Sequence, residues 1–350
     1  MRVAHVGIWP PPYGGLPVHL TRLRQYLEAN GAEVTVLDWS GVRAPAKEAD
    51  PSVRLYSGPL ALRAVRIVRD LLSQHWDIVH LHMSAGRRLP WIATPVLRFA
   101  RARKIVTVHS SYILDLDPTS MRWRVLRRVL AMADHIIAVN ETVAAHLRRH
   151  LPPKVAIDVA PAYLPSQDPQ DDSHPELDRR LHRLRACGAH LLLISGTAQP
   201  TWGFHRAVRV MERLRPDTAL LIASYGPPHP QYKRDVRSSA ARLGKRVAWV
   251  EDLSPNAFAY VLARCDALLR PTTSDGDSVA VREALALGVP VVASDVTPRP
   301  GGAIVFPLED EAAFAAGIED ALSGAPPERD QLGLHPASIV WNAYRMALGQ

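Results

Sequence analysis

Two cysteines in 350 residues, Cys187 and Cys265, are too few for a disulfide framework. The sequence therefore reads as a protein whose thiols stay reduced, as in the cytosol. No apolar run reaches the ~18–20 residues that a membrane-spanning helix needs. The best stretch, Leu89 to Phe99, is short and carries Pro90 and Pro95. A signal peptide is not expected, because the opening residues Met1 to Ile8 read as a strand. Aromatic residues make up only 6% of the chain. They form no basic–aromatic platform, so nucleic acid is not an expected partner. The G-x-G-x-x-G fingerprint of dinucleotide binding is missing, and there is no short-period repeat.

What remains is an ordinary globular composition, 47% hydrophobic and 22% charged. The length suits two domains. Charge is uneven. Residues 1–160 hold 22 Lys/Arg against 12 Asp/Glu, net +10, and residues 161–350 hold 20 against 22, net −2. The basic half points to an anionic partner: phosphorylated substrate or anionic lipid.

The dominant rhythm is strand, loop, helix. Strand-like runs fall at 2–8, 33–38, 77–81, 104–108, 135–139 and 155–160, with helical patterns such as Val18 to Ala29 and Leu60 to Leu72 between them. A second series has strands at 191–194, 218–223, 247–250, 266–269 and 290–293. Short apolar runs alternating with helices imply parallel sheets covered on both faces. The expectation is two doubly wound α/β units in tandem. The stretch 161–178 is rich in Pro, Asp and Ser and reads as a connector. The expected domains are 1–165 and 180–334, with a C-terminal helix at 335–350 that can cross back to the first domain. Ligands of such sheets bind beyond the carboxyl ends of the strands.

Three loops at those ends stand out. The first, Trp9 to His19, carries Gly14 and Gly15 before a helix expected to start near Pro17, an arrangement that lets backbone N–H groups approach phosphate. The second, Ser195 to Gly203, holds Gly196 and Thr197. The third runs from Arg270 to Ser294. It reads strand, glycine loop, helix, glycine stop and strand, with Asp277 or Ser278 as helix cap and Gly288 as stop. Asp275 and Glu283 are placed so that both carboxylates can reach one cleft. His109 ends the strand Lys104 to Val108, and Glu141 follows the strand ending at Val139.

The segment from Asp275 to Ser294 resembles the carboxylate-x7-carboxylate signature of retaining glycosyltransferase family 4, with its following small-residue, glycine and PVVAS run. The first loop is similar to that family's glycine pair followed four residues later by a histidine, here His19. The resemblance implies a GT-B fold, two Rossmann-like domains facing a central cleft. The first would bind acceptor and the second a nucleotide-sugar. It implies Glu283 on the ribose hydroxyls, and Asp275 with the amides of Gly276, Asp277, Ser278 and Val279 on the sugar hydroxyls. It also implies His109 at the donor sugar, with Gly14, Gly15, Gly196, Thr197 and Arg270 around the donor. The family usually has Glu where Asp275 stands. A larger departure lies in the second loop, where Thr197 and Trp202 occupy the positions of an Arg and a Lys that clamp the donor diphosphate. Arg270, and after it Arg206, are the candidates to replace that charge, unless Arg270 pairs with Asp266 or Asp295.

The implied activity is hexosyl transfer from a UDP- or GDP-sugar, with retention, to a glycan, lipid-linked or small-molecule acceptor. Two alternatives are a non-catalytic sugar- or nucleotide-binding subunit and a GT-B nucleotide-sugar epimerase. No cofactor and no metal are expected. Asp115–Asp117 and Asp275–Asp277 spell the short D-x-D pattern, and His80, His82 and His109 could suggest zinc, but none forms an open three-ligand site by sequence. The basic pattern Met121 to Leu130, with Arg63, Arg66 and Arg69 elsewhere in the same half, suits an anionic membrane surface. The expected location is the cytoplasm, with a peripheral place on the inner face of the plasma membrane.

Overall fold

The computed structural model describes residues 1–43, 49–83, 89–165, 174–324 and 335–350. The middle of the connector, 166–173, and the domain boundary at 334 lie outside the described residues. The chain divides into two compact units. Met1–Pro11, Gly15–Pro165 and Leu332–Gln350 form the first, and Pro12–Gly14 with Ser166–Gln331 form the second.

The first unit is built on seven parallel strands: β1 (Arg2–Gly7), β2 (Glu33–Asp38), β3 (Val53–Leu55), β4 (Ile78–Met83), β5 (Arg103–Val108), β6 (His135–Ala138) and β7 (Ala156–Val159). Their order across the sheet is β3-β2-β1-β4-β5-β6-β7. The order reverses between β1 and β4, which makes that crevice the switch point where ligands of such sheets bind. Both faces are covered, so the strands read as nearly unbroken buried runs. The exceptions are the histidines: His5, His80 and His82 are fully buried within β1 and β4. The Pro336–Leu348 helix packs Ala337, Val340, Ala343 and Tyr344 against Val3, Leu23 and Leu27 of this unit.

The second unit repeats the plan with six strands: β8 (His190–Gly196), β9 (Thr218–Ser224), β10 (Val247–Glu251), β11 (Ala267–Arg270), β12 (Val291–Ser294) and β13 (Ala303–Phe306). The order is β10-β9-β8-β11-β12-β13, with its switch point between β8 and β11. Strand β9, TALLIAS, is buried at every position. Apolar residues on both sides of the sheet, Leu192 and Ile194 on one and Leu191 and Leu193 on the other, fill separate cores.

Two strands escape sequence reasoning, β3 and β13. The first is three residues long and the second follows the proline- and glycine-rich stretch Thr297 to Gly302. The first helix begins at Gly15 rather than near Pro17, which places the proline in the opening turn, where a missing N–H costs nothing. Among the described residues no helix is long and apolar enough to cross a membrane.

Candidate active site

The second unit's switch point is flanked by the loop after β8 and the loop after β11. They are fastened together at several points. Gly203 has φ 70°, a left-handed conformation, and a Cβ there would stand 2.0 Å from the Pro271 carbonyl oxygen. Only glycine fits. The Thr273 amide donates to the Thr201 carbonyl at 3.0 Å. A Cβ on Gly196 would meet the Trp202 ring at 2.3 Å, so Gly196 serves ring packing.

Charge at this edge lies behind the loops. Arg270, the last residue of β11, sets Nε 2.8 Å and Nη2 3.0 Å from the two carboxylate oxygens of Asp275. Arg299 adds a third contact, Nη1 to the same carboxylate at 2.8 Å. The side chains of Arg270, Asp275 and Arg299 are 6%, 8% and 3% exposed, so the triad is buried with a net charge of one. Burial alone would raise the Asp275 pKa, but the two guanidiniums overcome it and hold the carboxyl down at about 2. Burial also disfavours each guanidinium. For Arg270 the carboxylate outweighs burial and raises its pKa, whereas for Arg299 burial prevails and lowers it. Both stay protonated, since arginine starts so far above neutrality. The Trp202 ring lies over Arg270, with its centroid 4.4 Å from the guanidinium carbon. The Trp202 ring therefore covers a buried cation.

This geometry corrects several expectations. The partner of Arg270 is neither Asp266, which pairs with Arg185, nor Asp295, whose carboxylate takes the Leu308 amide. It is Asp275, so that carboxylate is committed to two arginines rather than to sugar hydroxyls. The Gly276 amide donates to Asp275 at 3.2 Å and is spent in the same way. Asp277 does not cap the following helix. It pairs with Arg282 at 2.6 Å, and Ser278 is the cap, accepting from the Val281 amide. Both acids of this D-x-D are thus engaged by arginine, and Asp117 of the other accepts from Thr119. Arg206 binds the Leu308 carbonyl and the exposed Glu309, away from the loops. Glu141 is an exposed partner of Arg148. Glu283 stands where expected, on the Val279–Ala286 helix, and is buried. Thr197 is half-buried and Val279 is buried in the helix's first turn. Arg299 is the member of the buried triad that sequence reasoning missed. Its one signal was an arginine between two prolines just past a strand's carboxyl end.

In the first unit, His109 follows β5 at the ligand edge and His19 is not on a helix surface but buried. His19 Nδ1 sits 2.7 Å from the Ala162 carbonyl. His82 bridges His5, at 2.7 Å, and His109, at 3.2 Å. Burial, and then neighbouring positive groups, push the His5 pKa down to about 3. Burial lowers His19 to about 4 despite its carbonyl contact, and His80, His82 and His109 fall as well. All five are neutral imidazoles at pH 7. A depression of about 920 Å³ lined by Arg103, Lys104, Asp134 and His135 opens at the opposite, amino ends of β5 and β6.

The glycine loop after β1 is thus followed by the buried His19, and the glycine loop after β11 by the buried Glu283. Residues 13–162 match the model of Glycosyltransferase Family 4, and residues 189–324 match Glycosyl transferases group 1. The chain is a GT-B glycosyltransferase of the family 4 type. Along 99% of its length the transferase is 24% identical to the 2-deoxystreptamine N-acetyl-D-glucosaminyltransferase of Streptomyces fradiae, covering 94% of that protein. Two solved structures share its GT-B fold. The α,α-trehalose-phosphate synthase (UDP-forming) of Burkholderia xenovorans, in complex with glucose-6-phosphate, superposes with TM-score 0.74 at 13% identity, each chain covered completely. The Anabaena protein HepE, in complex with UDP and glucose, gives TM-score 0.70 at 14% identity over 99% of this chain and 95% of that one. The transferase is thus an enzyme of the glycosyl-transferring class.

Proposed function

We propose that the transferase moves a hexosyl group from a UDP- or GDP-sugar to a hydroxyl of a small-molecule, glycan or lipid-linked acceptor, with retention at the anomeric carbon. The observation that carries this reading is the Asp275–Ser294 segment. A strand end, a glycine loop and a serine-capped helix set Glu283 buried one turn inside, which suits a ribose diol. The Streptomyces relative is named for 2-deoxystreptamine and an N-acetyl-D-glucosaminyl group, which supports a hexosamine donor and an amino-polyol acceptor. The leaving diphosphate gathers charge in the transition state and needs fixed positive groups. With Thr197 and Trp202 in the loop, Arg270 and Arg299 supply it from the buried triad. Position and electrostatics do the work, with no side chain assigned as nucleophile.

A panel of UDP- and GDP-hexoses, incubated with 2-deoxystreptamine and simple polyols, tests the reading. Nucleoside diphosphate release coupled to a product with the donor's anomeric configuration by NMR is expected. Inverted product, or epimerised donor without transfer, contradicts it.

A second observation concerns the acceptor's setting. In the first unit Trp91, Phe99 and Met121 are exposed at 69%, 52% and 67%. They lie on the helices Leu89–Phe99 and Met121–Leu130, whose Arg122, Arg124, Arg127 and Arg128 are also exposed. Trp123, by contrast, is buried. We infer that this surface meets anionic lipid, apolar side chains entering the interface and arginines facing the headgroups. Vesicles containing anionic phospholipid should bind the protein and release it as salt rises. Equal binding to neutral vesicles, or no loss on joint Arg127→Ser and Arg128→Ser substitution, would count against it.

A further inference from the structure

The histidines at the first unit's switch point do more than fill space. We propose that His19, His82 and His109 form a three-histidine site for a late first-row transition metal, with Zn²⁺ as the reference ion. Their three ligand nitrogens all lie within 4.8 Å of one another. Two nitrogens on one tetrahedral zinc stand about 3.3 Å apart when each Zn–N bond is about 2.0–2.1 Å. His82 Nδ1 and His109 Nε2 are 3.2 Å apart. The third, from His19, lies within 4.8 Å of both.

Tautomers fix which lone pairs face the site. The Ala162 carbonyl only accepts, so His19 Nδ1 carries the proton and its Nε2 presents a lone pair. That Nε2 is buried and has no hydrogen-bond partner among the described residues, a costly arrangement that a metal would relieve. His82 offers Nδ1 when its Nε2–H donates to His5 Nδ1, 2.7 Å away. His109 offers Nε2. Each ring stays neutral and only proton positions shift, so binding requires no net loss of a proton.

The surroundings are those of a metal site. Ligating histidines are oriented by an outer hydrogen bond from the second ring nitrogen to a carbonyl or similar acceptor. Here Ala162 does this for His19 and His5 for His82. The same logic rejects the neighbouring group His5, His80 and His82. Both nitrogens of His80 are already held, Nδ1 by the Tyr344 hydroxyl at 2.6 Å and Nε2 by Thr107 Oγ1 at 2.7 Å. His109 is only partly buried while His19 and His82 are buried, so a metal would reach the site past His109. Three imidazoles and no carboxylate favour zinc, cobalt, nickel or copper over magnesium or calcium.

The test is a titration of the full-length protein with Co²⁺. One equivalent should bind, with the visible d–d bands of a tetrahedral nitrogen site, and one equivalent of Zn²⁺ should displace it. His19→Gln and His109→Gln should each weaken binding at least tenfold, and His75→Gln, at an exposed histidine, should not. Absence of stoichiometric cobalt binding to wild-type protein overturns the proposal, as does wild-type affinity in both buried-site variants. Should those variants fail to fold, zinc-edge X-ray absorption of the wild-type protein decides. Three imidazole nitrogens at about 2.0–2.1 Å support the site, and a shell dominated by oxygen refutes it.

Discussion

Replacing Asp275 by Asn isolates the triad behind the donor loops. The carboxylate receives three short N–H contacts from two guanidiniums, and all three side chains are at least nine-tenths buried. The amide keeps one acceptor oxygen but turns an NH₂ toward groups that can only donate. Two positive charges then share a buried site without a counterion. Breaking a buried pair by removing one partner costs about 3–5 kcal/mol. The depressed acid constant gives an independent lower figure. From 3.8 in the unfolded chain to about 2 in the fold is worth about 2 kcal/mol. For a domain of this size each kcal/mol shifts Tm by roughly 2–4 °C, so the variant should melt about 6–20 °C lower by calorimetry, with far-UV circular dichroism unchanged below the transition. The pH dependence has a fixed sign. Because the folded pKa lies below the unfolded one, the stabilisation is complete above pH 3.8 and is lost as pH falls through about 2. The Asn variant should lack that acid limb. A loss of less than about 2 °C, or an acid limb identical to wild type, would refute the triad as described.

Two further outcomes follow from the same geometry. Restoring the family's clamp with Thr197→Arg and Trp202→Lys should lower stability by about 2 kcal/mol, because the indole over a desolvated Arg270 is exchanged for a like charge; a melting temperature equal to or above wild type would show that the stack is inert. Activity should survive EDTA, whereas one equivalent of Zn²⁺ should suppress it reversibly by occupying His109. Unchanged turnover in zinc-loaded protein would remove His109 from the donor site without touching metal binding itself.

Much of this was legible in the chain. Runs such as LLLIS and TALLIAS can only be strands buried on both faces, and Gly288 with Pro290 marks a helix stop before β12. The serine-capped helix carrying Glu283 was also readable, because caps and glycine stops are local signals. What escaped depends on residues distant in sequence. Arg299 reaches Asp275 across 24 positions, and His19 meets Ala162 across 143. Nothing local announces either. The acids of the D-x-D at Asp275 show the same: their charges are neutralised by Arg270, Arg299 and Arg282, one of which lies in a different loop.

Glu283 as the nucleotide's ribose anchor is the central assignment of the donor site. Titration calorimetry of UDP and GDP into wild-type protein and into Glu283→Gln addresses it directly. One hydrogen-bonded charge is worth about 1.5–3 kcal/mol, so the variant should bind its nucleotide about 10- to 150-fold more weakly while melting as a folded protein. Wild-type protein that binds neither nucleotide, or a Gln variant with unaltered affinity, would contradict the assignment of this site to a nucleotide-sugar donor.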